Sequence, residues 1–423
     1  MCKESNLLQK LMTLCSHHGY IYQSADLMKS GVKGCYDYGP MGSALRRNIL
    51  NEWWTSVVLS QESMFGVESS QLQTTHDTNS ANNLAVEFTR SPLHDPTNQD
   101  TRLQETPNDE LRTSAKMEEK VDCVLRNALH QGTFSHYYNT LRLNNGRLPF
   151  GLAQLGRCFR RIHQSEDTNR PDENKFIFDL PEFTQMTAQF YCSPKTADRC
   201  MIDWQRDRLQ WWRKFSGAPS SFQMSETKQS DTLRTTDIQF HFPWGVDTIE
   251  RISNRGGGDL EQLQHETGED LQGRDGRKMV LPHVIEMVGG LERGMMALLL
   301  DAFQEKEKRD DLKRILRLHV KLAPVKAAVL PIRGTKELTE LCEYLARELR
   351  KKSISCHRVG EVSPVISQHL TRFDEMGVPF VILLNENTLK TGVVRLRYRD
   401  TSVMQQLHIT EVKECIERHL EAE

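Results

Sequence analysis

The residues best placed to do chemistry are clustered cations. Positions 312–336 hold Lys313, Arg314, Arg317, Lys321, Lys326, Arg333 and Lys336 with no Asp or Glu among them. Arg274, Arg277 and Lys278 stand in a short stretch, GRDGRK, punctuated by two glycines. Arg395, Arg397 and Arg399 alternate with Val394, Leu396 and Tyr398. A period of two puts these three arginines on one face of a strand. Local clusters of this kind can contact nucleic-acid phosphates on an otherwise neutral protein. No base-reading module is visible, so such binding is expected to be independent of sequence and sensitive to salt. The plainer alternative is a solvated basic surface.

Other candidates are weaker. Trp211-Trp212-Arg213-Lys214 reads as a helix whose aromatics are core, or else as a base-stacking or partner contact. Arg206, Arg208, Arg213 and Lys214 would flank it as a basic helix edge. The ten cysteines form no C-x-x-C pair and are scattered through apolar or helical contexts. That favours free thiols in a reducing compartment over a disulfide framework or a zinc site. No metal or other cofactor is expected.

The chain has 423 residues, enough for two or three domains. It is 38% hydrophobic and 26% charged, with a formal charge of −2, so any basic surface must be local. No apolar stretch approaches the roughly 18 residues of a membrane span. The N-terminus has neither a secretory h-region nor the Arg-rich, acid-free look of a transit peptide.

These residues need elements to position them. Leu7, Leu8 and Leu11 suggest a helix, 20–22 a short strand, and Ala44 to Trp54 a helix with Leu45, Ile49 and Trp53 on one side. Val57, Val58 and Leu59 are expected to begin a strand. From about 75 the composition turns to Thr, Asn, Asp and Pro, as in a loop-rich insertion. Within it, 114–131 has a stripe of Met117, Val121, Val124, Leu125 and Ala128 behind Ser114, which predicts an amphipathic helix. That helix would pack on its own domain or pair with a second subunit. From about 320 the pattern alternates: strand 327–332, helix 336–350, strand 353–357, helix 363–376, strand 378–384, strand 393–399 and helix 410–421. This predicts a separate α/β unit.

The blocks between carry a resemblance. Tyr20 to Ser24, YDYGPMG at 36–42 and Trp53-Trp54 resemble the motif 1 region of glycyl-tRNA synthetases. LAQLGRCFR at 152–160 looks like their motif 2, and Glu182-Phe183-Thr184-Gln185 like the segment after it. FPWGVDTIERISNRGGGDLEQL at 242–263 and PHVIEMVGGLERGM at 282–295 match the two following blocks, the second being motif 3. Residues 322–332 and 374–389 look like the synthetase anticodon-binding domain. The resemblance implies an α+β fold. It would be a class II aminoacyl-tRNA synthetase-like antiparallel sheet with helices, plus a C-terminal anticodon-binding-like α/β domain. The expected division is a core of 1–74 and 146–318, an inserted segment 75–145 that forms a dimer contact, and a C-terminal domain of 319–423.

The same resemblance assigns Arg160 and Arg293 to the arginines that hold the α-phosphate and the γ-phosphate end, and Glu250 and Glu286 to acidic family positions. Other positions depart from the pattern. The acid that reads adenine falls at Ile162, those that face the glycine ammonium at Thr187 and Gln189, an Arg at Pro181 and a Ser at Val288. Losing partners in a hydrogen-bonded specificity site costs about 10⁴ or more in discrimination. Catalysis is therefore not expected. Arg160, Arg293, Glu250 and Glu286 are read as a remnant nucleotide site, persisting as an internal ion-pair set.

NEWWTSVV at 51–58, RLPFG at 147–151, RLQWWRKF at 208–215, GRDGRK at 273–278 and RDTS at 399–402 with Leu407-His408-Ile409 look most like the accessory subunits of mitochondrial DNA polymerase gamma. That family implies a non-catalytic processivity factor in the mitochondrial matrix (nucleoid). It would be a homodimer that clamps the polymerase catalytic subunit and binds duplex or primer-template DNA. On that reading Arg274, Arg277, Lys278, Lys313, Arg314, Arg317 and Lys321 are the DNA-binding candidates. Arg395, Arg397 and Arg399 are the partner-binding candidates. The rivals are an active glycyl-tRNA synthetase and a tRNA-binding paralogue.

Overall fold

The computed structural model describes residues 2–29, 34–74, 84–88, 121–160, 176–228, 234–308, 311–332, 335–358 and 366–422. Its centre is a seven-stranded sheet made of β1 (Met64–Gly66), β2 (Phe150–Phe159), β3 (Glu182–Cys192), β4 (Phe222–Lys228), β5 (Arg234–Phe242), β6 (Gly245–Asn254) and β7 (His283–Gly290). The spatial order is β1-β2-β3-β7-β6-β5-β4. Every pairing is antiparallel except the edge pair β1 and β2.

Both faces of this sheet are covered. Met186 and Ala188 of β3 join Ile285 and Met287 of β7 on one face. The helices Pro40–Trp54, Ala197–Lys214 and Leu291–Ala302 pack over them. On the other face Phe150 and Leu152 of β2, Tyr191 of β3 and Val284 of β7 meet Phe134, Tyr137 and Leu141 from two short helices, His130–Phe134 and Tyr137–Leu143. The strand period of two thus sends alternate residues into two different cores.

The C-terminal unit is a five-stranded sheet of β8 (Ala327–Pro331), β9 (Cys356–Arg358), β10 (Phe380–Leu384), β11 (Val393–Tyr398) and β12 (Met404–His408), ordered β9-β8-β10-β11-β12. The Lys336–Lys351 helix buries Leu338, Leu345 and Leu349 against it, as the helical leucine spacing requires. Thr335 caps that helix by accepting from Leu338 N. The principal core does not stop at this unit. It runs from Leu11 and Tyr20 through the body into Ala328, Leu330, Phe373 and Val381.

Two expectations fail here. Val57, Val58 and Leu59 do not begin a strand, because Thr55–Leu59 continues the preceding helix as a π-turn with Val57 buried. Val121–Leu125 is a strand, not part of a helix at 114–131. It is sandwiched antiparallel between Leu72–Thr74 and Leu84–Phe88. Its β-branched content and the backbone partners on both sides outweigh the helical spacing. The helix expected to pack on its own domain or to pair with a second subunit is therefore not formed at 121–125, and residues 114–120 lie outside the described residues. Among the described residues no helix is long and apolar enough to cross a membrane.

Candidate functional site

A cavity of about 370 Å³ opens on the face of the large sheet where β3, β6 and β7 meet, and Arg160, Arg293, Gln185, Glu286, Val288 and His130 help line it. Arg160 follows β2, and Arg293 sits in the first turn of the Leu291–Ala302 helix. The two arginines converge on one carboxylate. Asp179 Oδ1 accepts from Arg160 Nη2 at 3.1 Å and from Arg293 Nη2 at 2.8 Å. Each guanidinium is also anchored to backbone: Arg160 Nε donates to Leu180 O and Arg293 Nε to Phe178 O. Each lies against an aromatic ring as well, Arg160 at 5.1 Å from Phe183 and Arg293 at 4.4 Å from Phe178.

The acids are partnered too. Glu286 accepts from Arg255 Nη1 at 3.1 Å and from Gln189 Nε2 at 3.0 Å, and Gln189 in turn accepts from Tyr191 OH at 2.7 Å. Arg255 also pairs with Asp259, and this bonding holds its guanidinium above its ordinary value. Glu292 accepts from Arg46 Nη1 and from Thr184 N. Thr187, where an ammonium-binding acid would stand, is fully buried, and its Oγ1 has no partner among the described residues.

Glu250 also borders the cavity, but its carboxylate is bonded on the other side of the sheet. It pairs across β7 with Gly289, on the side of Ile252 and Met287, and so faces the helical layer. There it accepts from Arg208 Nε at 2.8 Å, Arg208 Nη2 at 3.2 Å and Trp212 Nε1 at 2.5 Å. Both members of the ion pair are about 1% exposed. The four residues read from the sequence as a remnant site border one cavity but do not form one ion-pair set. They fall into three: Arg160 and Arg293 on Asp179, Glu286 on Arg255 and Gln189, and Glu250 on Arg208. Arg208 is not on a basic helix edge. It shares the apolar stripe of Trp204, Trp211 and Trp212, which makes those aromatics core and not a base-stacking surface.

The cation clusters fare unequally. Arg274, Arg277 and Lys278 are exposed on a two-stranded hairpin, Gly273–Asp275 with Lys278–Val280. The hairpin is tied back by Arg274 N donating to Gly146 O and by Leu148 N donating to Arg274 O, which brings exposed Arg147 alongside. Sequence reading missed Arg147, because it opens RLPFG among uncharged neighbours and gave no charge signal. Residues 312–336 lack acids of their own but meet acids from elsewhere. Lys313 pairs with Asp374 at 2.6 Å, Arg314 with Glu305 at 3.3 Å and Arg317 with Asp400 at 3.1 Å. Lys326 Nζ is turned inward onto Val320 O and Lys321 O. Lys321 is half-buried.

The 395–399 set also divides. Arg395 is exposed on β11. Arg397 is buried in a bidentate pair with Asp374, at 2.8 and 2.9 Å. Arg399 is buried and donates to the carbonyls of Leu316, Gly377 and Leu318. Arg397 and Arg399 are thus internal fasteners rather than partner contacts. The alternation placed them on one face, but at 397 and 399 that face meets Asp374 of the Ile366–Glu375 helix and the carbonyls of Leu316 and Leu318.

Comparison with known proteins agrees with this architecture. Residues 326–419 match the anticodon binding domain family. The chain is 32% identical over 97% of its length to a Xenopus laevis protein named DNA polymerase subunit gamma-2, mitochondrial, covering 87% of that protein. It is 35% identical over 92% of its length to the Bos taurus DNA polymerase subunit gamma-2, covering 80%. It is also 27% identical over 95% of its length to a glycine–tRNA ligase of Treponema denticola, covering 94%. The fold is the class II aminoacyl-tRNA synthetase type with a C-terminal anticodon-binding-like domain.

Proposed function

The chain belongs to the DNA polymerase subunit gamma-2 family, and from that premise we propose that it is a non-catalytic accessory subunit of a mitochondrial DNA polymerase. One observation supports the loss of catalysis above others. Asp179 already occupies the two arginines that a nucleotide phosphate would need. A phosphate would have to displace a bound carboxylate, and a glycine ammonium would meet Thr187 and Gln189 in place of acids.

On this reading the chain works by holding. It binds the polymerase catalytic subunit and lies along primer-template DNA, so that a dissociated end is recaptured within the complex. The DNA contact is made by the Arg274–Lys278 hairpin with Arg147, whose cations are exposed. The surface around Arg395 is the part of the proposed partner face still open to solvent. The division into a core of 1–74 and 146–318, a segment of 75–145 and a domain of 319–423, the homodimeric state and the mitochondrial nucleoid location belong to the same proposal.

Primer extension by the polymerase, with and without this chain at rising salt, is the decisive experiment. Longer products with the chain are expected, and no gain in product length refutes the reading. The rival enzyme reading rests on Arg160 and Arg293, which are retained. ATP–pyrophosphate exchange with glycine should give background rates, and robust turnover would favour the rival.

A further inference from the structure

We propose that His17, His18 and Glu375 form a binding site for one zinc ion that ties the N-terminal helix to the C-terminal unit. The histidines and the glutamate lie far apart in sequence but converge in space, with one ligand atom from each within 4.8 Å of the others. His17 Nδ1 and His18 Nε2 are 3.4 Å apart, and His18 Nε2 is 2.9 Å from Glu375 Oε2. Zinc–nitrogen bonds of about 2.0–2.1 Å in a tetrahedron put neighbouring ligands about 3.3 Å apart. The site is thus set for a metal with small side-chain adjustment.

Consecutive residues inside a helix point to different sides and cannot share an ion. Here His17 is the last residue of the Cys2–His17 helix, and His18 is in the turn that follows. That break lets both rings face the same point, edge to face with centroids 4.6 Å apart. Glu375 is likewise the last residue of the Ile366–Glu375 helix. Two helix C-termini meet at the site, and their dipoles favour a cation.

The protons do not fill the cluster. His18 Nε2 carries at most one hydrogen, yet it faces both a carboxylate oxygen and a second imidazole nitrogen. A zinc ion would take a lone pair from all three, with a water as fourth ligand. His18 is buried, so its ring is held in place, while His17 is exposed and leaves an entry path. Arg372, on the same helix as Glu375, sets a positive charge against a cation at His18.

The test uses the full chain, stripped with chelator and dialysed against buffered micromolar zinc. Atomic emission should then give one bound zinc per chain, with a higher thermal midpoint that EDTA reverses. His17→Ala and Glu375→Gln should each weaken zinc binding by at least about tenfold, while circular dichroism of the metal-free protein is unchanged. Arg372→Gln should strengthen it. Failure to retain zinc overturns the proposal. So does equal retention by both variants, which would place the metal on cysteine thiols.

Discussion

Asp179 Oδ1 lies between Arg160 Nη2 and Arg293 Nη2, at 3.1 and 2.8 Å, and accepts from both. A single side chain thereby plays the part of a resident anion on two arginines that line the cavity. Asp179→Asn removes the charge and keeps the shape. ATP or pyrophosphate should then bind about three- to tenfold more tightly by titration calorimetry, because two partly exposed guanidinium groups are released. Glycine activation should stay absent. Unchanged affinity would mean that the two arginines do not limit anion binding.

Arg208 and Glu250 form the most deeply buried ion pair described, and Arg208 Nη1 has no partner among the described residues. Glu250→Gln should destabilise the chain by about 3–5 kcal/mol in urea unfolding, since a buried cation loses its countercharge. The double change Arg208→Met with Glu250→Leu should cost less than Glu250→Gln alone. A larger loss in the double variant would show the pair to be a net stabiliser.

Neutralising the hairpin with Arg274→Gln, Arg277→Gln and Lys278→Gln should weaken duplex DNA binding and flatten its salt dependence. The slope of log K against log salt should fall by about 0.9 for each phosphate that is no longer neutralised, read by fluorescence anisotropy. Lys313→Gln and Arg314→Gln should change the slope less, since those side chains are held on Asp374 and Glu305 and are not free to reach a phosphate. The opposite ranking would move the DNA-binding surface to the linker.

His319 supplies the pH dependence. Burial, then the nearby Lys214, Lys321, Lys326 and Arg399, lowers its value from 6.5 to about 4. Its neutral Nδ1 accepts from Lys321 N at 3.2 Å. The unfolded chain therefore binds the proton first, and stability should fall as pH drops from about 6.5 towards 4. His319→Gln should reduce the slope of urea midpoint against pH in that window. An unaltered slope would assign the acid sensitivity to other groups.

Much of the fold was legible because the C-terminal unit obeys simple periods. Leu338, Leu345 and Leu349 gave the helix, and Phe380 to Leu384 gave a fully buried strand. What failed depended on distant partners. Lys313 and Arg314 look free in a stretch without acids, yet Asp374 and Glu305 come from other elements. Asp179 carried no local signal at all, since its role needs one arginine just after β2 and another from a later helix. Arg208 did leave a trace, a charge four residues from Trp204 and from Trp212 on an apolar stripe. Such a cation demands a buried acid, and Glu250 is that acid. Ile162, where the adenine-reading acid is missing, lies outside the described residues.

The principal core crosses from the N-terminal helix into β8 and β10, and it is pinned by Tyr20 OH donating to Met376 O and by Arg399 on three carbonyls. The C-terminal unit is therefore a lever and not a swinging arm. A push on its outer strands would turn the whole body, and with it the basic hairpin, as one piece. On the proposed function, a polymerase seated on the C-terminal unit would thereby set the angle at which the hairpin meets DNA.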